Sequence, residues 1–501
     1  MKLKRFLFGM FAVLFTTTLV ACGDNNNGGG EWTMPSTPMQ VFVGSESTVF
    51  YQTELNAYVK REIAAGNLPE GFKIEVTGVN SGSYADTYLR NPEDGPDLFV
   101  VAQDNLGKLL AGDGTLAPVE NQELIEHIEA NNDEDTLNSI YMSVAGSEAK
   151  YYAVPIIKQS LVLYYNTKYF KSASACDTWE EILEVASNNG KLAVAYTGED
   201  GFNYSHWTLA KPVNSSAKKA FGTDGTLELY NLGLWSGNYL WGDDQVAIHK
   251  YAQEFTQNPA GRNGAIVSAS GWKNELGKQT ALTVIGGAWD YNTVVEQLGE
   301  GNFGITVLPK FTLKSQHAFG TAKSGMQFQS GSFFDVKCLM KKKKSAYAPY
   351  LDQILLFLSS EDVQARSYIE CNNLPTSSKV KLEYTDSELR DLYSILYSDF
   401  DTALDDEDVV IRYNKDLADA QLKQGEKAGM PQPFGSNADF NPAYYAKTSP
   451  LFVDLHQDLK GEYTTTAKIK ERLQWMSYIL AKNDLPKDAQ AVKDWVETTG
   501  R

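Results

Sequence analysis

The chain is 501 residues long, more than one ordinary domain holds, and suits two or three domains with cores of their own. It carries 45 Lys and Arg against 63 Asp and Glu, for a net charge of −18. That balance argues against nucleic acid and other polyanions as partners.

The amino terminus reads as a targeting segment. Lys2, Lys4 and Arg5 precede an apolar run from Phe6 to Ala21, the arrangement of a signal peptide rather than of a lasting span. The run ends Leu19-Val20-Ala21-Cys22, which is similar to a bacterial lipobox, so residues 1–22 are expected to be a lipoprotein signal peptide with Cys22 as the lipid attachment site. Residues 23–36, opening on Asp24 to Gly30 (DNNNGGG), have the composition of a flexible tether. The expected product is exported and lipid-anchored, on the outer face of the cell membrane or the periplasmic side in a two-membrane bacterium.

After the tether, Met39 to Val43 reads as a strand, Gly44 to Ser47 as a loop, and Val49 to Ala64, with apolar residues at Phe50, Leu55, Tyr58, Val59 and Ile63, as a helix. A second strand follows from Phe72 to Val79 and a third from Leu98 to Val101. Short connections between alternating strands and helices predict a parallel sheet covered on both faces. Tyr151 to Asn166 (YYAVPIIKQSLVLYYN) holds two more strands in close succession. A helix from Trp179 to Ala186 has Asp177 and Thr178 as capping candidates. Ala281 to Ile285 is a short buried strand, delivering Trp289 through the small turn Gly286-Gly287-Ala288. A bulky aromatic at the carboxyl end of a strand in an α/β chain sits where such folds bind ligands. A helix from Asn292 to Leu298 and a strand from Phe303 to Leu308 come next, then a strand from Phe333 to Leu339 and a helix from Tyr347 to Leu358. Lys341 to Lys344 reads as a solvated turn, and the helices near the C-terminus, from Thr466 to Lys482 and Ala489 to Thr498, as amphipathic structural pieces.

Several of these stretches, in this order, resemble the maltose/maltodextrin-binding family of extracellular solute-binding proteins, which serve ABC sugar importers. They are Pro96 to Val119 with Asp104, Tyr151 to Asn166, Gly286 to Trp289, Val307-Leu308-Pro309-Lys310-Phe311, and Leu417 to Ala446. The resemblance implies an α/β fold of the two-lobe periplasmic-binding-protein (Venus flytrap) type, with an interlobe hinge and a helical C-terminal part. The first lobe would comprise residues 37–157 plus 317–378, and the second 158–316 plus 379–501. It implies a sugar-binding site of Trp289, Tyr204, Tyr444 and Tyr445 as aromatic faces, with Asp104, Gln159 and Glu46 pairing hydroxyls. Two departures stand out: Val101 replaces a common stacking aromatic, and Gln159 stands where an acidic sugar ligand is found. The family also implies a membrane permease as partner and a monomeric receptor without cofactor or catalysis.

Other chemistry finds little support. Gly299 to Gly304 matches GxGxxG but follows a helix and precedes a strand, the reverse of a dinucleotide site. The five histidines lack ligand spacing, Cys176, Cys338 and Cys371 fit no zinc pattern, and the acid-rich Asp399 to Asp408 lacks the glycine and final glutamate of a calcium loop, so no metal is expected. Buried thiols are expected, although Cys338 and Cys371 could pair. The competing reading is a secreted carbohydrate-active lipoprotein enzyme, a glycoside hydrolase, and another keeps the fold with a non-sugar solute.

Overall fold

The computed structural model describes residues 32–111, 114–142, 148–196, 202–216, 241–260, 271–405, 408–431 and 461–474. Cys22, Tyr444, Tyr445 and the last predicted helix lie outside them. Strand β1 (Met39–Gly44) buries Met39, Val41 and Val43, the period-two pattern of a sheet with one face on the core. Helix α1 (Thr48–Ala64) leads to β2 (Ile74–Val79), and the wholly buried β3 (Leu98–Ala102) follows. β1 pairs in parallel with both β2 and β3, as short β-α-β connections require.

The chain then crosses. β4 (Val154–Ser160) and β5 (Val162–Asn166) are separated by Leu161 alone, yet they belong to different sheets. Past β5, helix α2 (Trp179–Asn188) opens on a capping box in which Glu181 N–H donates to Thr178 Oγ1 at 3.2 Å and Thr178 N–H to Glu181 Oε2 at 3.1 Å. β6 (Leu192–Ala195), α3 (Asp243–Gln257), β7 (Ala281–Gly286), α4 (Tyr291–Leu298) and β8 (Phe303–Thr306) follow. Here the sheet order is β8-β5-β7-β6, with β5 antiparallel to both neighbours, so the second sheet is mixed rather than parallel.

β9 (Lys310–Thr312) and β10 (Gln327–Gln329) form a small antiparallel sheet, and β11 (Ser332–Lys342) then carries the chain back to the first sheet. β11 runs antiparallel to β3 on one side and to β4 on the other. Helices α5 (Ala348–Leu358), α6 (Glu361–Cys371) and α7 (Lys415–Ala428) complete the described body, and β12 (Gly429–Pro431) adds to the start of β11 in parallel. No described helix is long and apolar enough to cross a membrane.

Three placements correct the sequence reading. The return to the first lobe occurs at Ser332, not at residue 317: His317 and Phe328 are buried in the second core, where Tyr251 meets the His317 ring edge-on and Phe311 stacks on Phe328. Residues 386–405, assigned to the second lobe, hold two short helices whose Leu389, Tyr393 and Phe400 pack on Ile369 of α6, next to the first core. Lys341 is no turn residue; it is buried in β11 and its ammonium meets Asp352 at 2.6 Å. Trp207 is fully buried among Trp179, Tyr251, Phe255 and Phe311.

One ion pair locks the first lobe. Arg366 of α6 and Glu54 of α1 are both buried, with Nε–Oε1 at 2.5 Å and Nη2–Oε2 at 2.8 Å, and Arg366 Nη1 also donates to Leu392 O at 2.9 Å. Removing one partner strands a buried charge, which costs about 3–5 kcal/mol. Arg366→Met should therefore shift the urea midpoint of first-lobe unfolding far down, whereas removing the exposed partner in Arg390→Met, an ion pair with Asp401, should leave it nearly unchanged.

Candidate functional site

A cleft of about 450 Å³ lies over the crossing strands, bordered by loops that follow the carboxyl ends of β1, β2, β3 and β7. One wall carries Ser45 and Glu46 after β1, Asn80 to Gly82 after β2, and Asp104 after β3. The opposite wall carries Phe202, Ala288, Trp289, Tyr291 and Asn292. The floor is formed by Gln159 of β4 with Asp335 and Lys337 of β11, and the end of α6 contributes Cys371, Asn372 and Asn373.

Trp289 reaches the cleft because of the turn beneath it. A Cβ on Gly287 would fall within 2.3 Å of the Trp289 ring, so only glycine lets the indole fold back over that backbone. The turn is pinned at both ends: Tyr164 Oη donates to Gly287 O at 2.7 Å, and Gly287 N–H to Asp290 Oδ2 at 3.1 Å. Trp289 is left 44% exposed where it lines the cleft. Phe202 lies beside it with ring centroids 5.9 Å apart, giving a continuous aromatic wall.

The polar side is acidic at Asp104 and Asp335, and Ser45, Asn80, Ser81, Lys337, Asn372 and Asn373 line the same cleft. Asp104 sits in the single turn Gln103–Asn105 and accepts from Asn105 Nδ2 at 2.9 Å. Burial, then the neighbouring Asp335 charge, push its carboxyl up to about 8, against the pull of Lys108. Burial raises Asp335 to about 6, moderated by Lys337. Lys337 Nζ meanwhile reaches Glu46 Oε1 at 3.4 Å. Gln159, buried, faces Asp335 across the β4–β11 register, and neither Gln159 Oε1 nor Asp335 Oδ1 has a hydrogen-bond partner. The arrangement can bind a ligand that offers an apolar face on one side and several hydrogen-bond donors on the other.

A model of the bacterial extracellular solute-binding protein family matches residues 61–389. The chain belongs to that family. Two curated relatives, named maltooligosaccharide ABC transporter solute-binding lipoproteins from two Streptococcus pneumoniae strains, are 24% and 23% identical over 74% of this solute-binding protein and 81% and 80% of their own lengths. Among solved structures, one with acarbose aligns at a TM-score of 0.64 and 16% identity, covering 89% of this chain and 99% of that one. A cyclo/maltodextrin-binding protein complexed with maltotetraose aligns at 0.59 and 18%, over 90% and 98%. An unliganded L. casei maltodextrin-binding protein gives 0.59 and 15%, over 89% and 100%. These structures share the two-lobe α/β fold of this solute-binding protein.

Four residues singled out in the sequence, Glu46, Asp104, Gln159 and Trp289, are brought together in the cleft. Tyr204 is not. It starts the one-turn helix Ser205–Thr208, which turns its ring inward to stack on His206 and meet Tyr196, leaving it 1% exposed. Phe202, two residues earlier, faces the cleft instead. Cys338 and Cys371 are both free, and Cys371 lines the cleft. Among the described residues no group of three His, Cys, Asp or Glu could hold a metal ion. Sequence reasoning missed Asp335 and Lys337, although two charged residues spaced by two within the apolar SFFDVKCL run mark one polar strand face.

A carboxyl whose folded pKa is raised favours the folded state below the unfolded value and loses that contribution as pH climbs through the folded one. For Asp104 the window runs from 3.8 to about 8. Asp104→Asn does not titrate, so its melting temperature relative to the parent should be level near pH 4, rise progressively, and plateau above about 8. Differential scanning calorimetry of the unliganded pair across that range checks it.

Proposed function

We propose that this solute-binding protein captures a neutral, maltodextrin-like oligosaccharide in the cleft and presents it to a membrane permease of the ABC class. The observation that carries the reading is the pairing of the exposed Trp289–Phe202 wall with an acceptor-rich floor and opposite wall, Asp104, Gln159, Glu46 and Asp335. A sugar ring has that split character, with C–H groups on its faces and hydroxyls around its edge. The names of the pneumococcal relatives support the same ligand class and the lipoprotein form.

In this reading the wall carrying Trp289 covers a ring face, the carboxylates and amides take its hydroxyls, and closure about the crossing strands excludes water from both. Closing is favoured only by the extra affinity of the closed form for the ligand. The lobes divide at Leu161 and again near Gly331, and the protein acts as a monomer tethered through lipid on Cys22. Tyr444 and Tyr445 remain candidates for a further aromatic contact. The protein binds without turning its sugar over.

Burying an aromatic face contributes about 1.5–3 kcal/mol, and each 1.4 kcal/mol is tenfold in affinity. Calorimetric titration with maltotriose should therefore give binding that Trp289→Ala weakens by roughly tenfold to a hundredfold. Heat from no oligosaccharide would sink the sugar assignment, and steady release of new reducing ends would make the protein a hydrolase instead.

A further inference from the structure

Every buried acceptor in a folded chain ordinarily has a donor, because shutting it away from water without one is costly. The floor of the cleft breaks that rule at two adjacent points. Gln159 is 3% exposed and its Oε1 has no partner; Asp335, directly opposite in the β4–β11 register, has an Oδ1 equally shut off and unpartnered. Both side chains line the cleft, and the strand on which Asp335 sits is central in its sheet.

Of the charged and titratable groups around Asp335, Lys337 moderates its raised pKa, yet none pairs with its Oδ1. Asp104 becomes a like charge only above about pH 8, and burial pushes up the thiols of Cys338 and Cys371. Lys337, the cation on the same strand face, is shared with Glu46. Lys108 lies with Asp104 and is paired to Asp86, and Lys158 on β4 points to the far side, over the Phe334 ring and onto Asp133. What Gln159 Oε1 and Asp335 Oδ1 lack is a pair of hydrogen-bond donors side by side.

We propose that Asp335 is a ligand-contacting, specificity-determining residue of this cleft, which together with Gln159 selects a sugar edge presenting two neighbouring hydroxyl donors. The inference rests on the sugar reading above and adds the residue that chooses among sugars. A hydroxyl donating to Asp335 stabilises its charged form. Binding below its folded pKa of about 6 therefore releases a proton, and affinity rises with pH through that value. Asp104 gives up its proton higher, near 8, so a slope confined below neutral pH belongs to Asp335.

The test is calorimetric titration of the purified full chain with maltotriose between about pH 5 and 7, in buffers of different ionisation heat, beside Asp335→Asn and Asp335→Glu. Expected are parent affinity rising across that interval with proton release, at least a tenfold loss at pH 7 in Asp335→Asn with a flat profile, and a surviving slope in Asp335→Glu. The melting temperature of unliganded Asp335→Asn should not fall, because its amide can donate to Gln159 Oε1. Affinity within twofold of the parent, an unchanged slope, or a loss that tracks a lowered melting temperature each overturns the assignment. A parent that binds no saccharide overturns the proposed function as well, whereas a parent that binds while Asp335→Asn matches it overturns this inference alone.

Discussion

The antiparallel pairing of β4 with β11 is the constraint on which the rest of the molecule depends. It is the one place where both crossings between the sheets lie side by side, and it is braced from one helix. Gln421 Oε1 of α7 accepts from Ser160 N–H at 3.2 Å, while Gln424 accepts from Leu308 N–H and donates to Ser330 O, both at 2.9 Å. Ser332 Oγ, at the start of β11, accepts from Leu161 N–H at 2.9 Å. These buried amides satisfy backbone groups that change sheets and would otherwise have no ladder partner.

The same crossing sets up the chemistry. Alternation along β11 sends Asp335 and Lys337 to the cleft and Phe334 to the other side. The floor thus inherits its polarity from strand geometry, while the wall opposite inherits its aromatic character from a glycine-permitted turn. Neither is comfortable in the empty protein: one side leaves a tryptophan partly bare, the other leaves buried acceptors unmet and carboxyls pushed above their ordinary range. Stability withheld at such positions is recovered when a complementary molecule arrives, which is the usual relation between a binding site and the scaffold that holds it.

Much of this was legible beforehand. Period-two burial in Met39–Gly44, the apolar Leu98–Ala102 and the Thr178–Glu181 cap are local signals, and the structure follows them to within a residue or two. What failed was non-local. Residues 317–329 look like any loop-rich connection, and only the packing of His317 and Phe328 against Tyr251 and Phe311 assigns them to the second core. Tyr204 and Phe202 are equally aromatic, and which of them faces the cleft depends on a one-turn helix too short to show in periodicity. Asp335 was passed over in the sequence, and its place on a central strand is set by non-local pairing with β3 and β4.

The floor of the cleft is a partition one side chain thick. Gln159 borders the cleft on one side and, on the other, a second cavity of about 460 Å³ walled by Phe334, Leu374, Pro375 and Leu422. A substitution at Gln159 therefore alters the walls of both cavities at once, the rear one also bearing Asp133, Lys158 and Glu426.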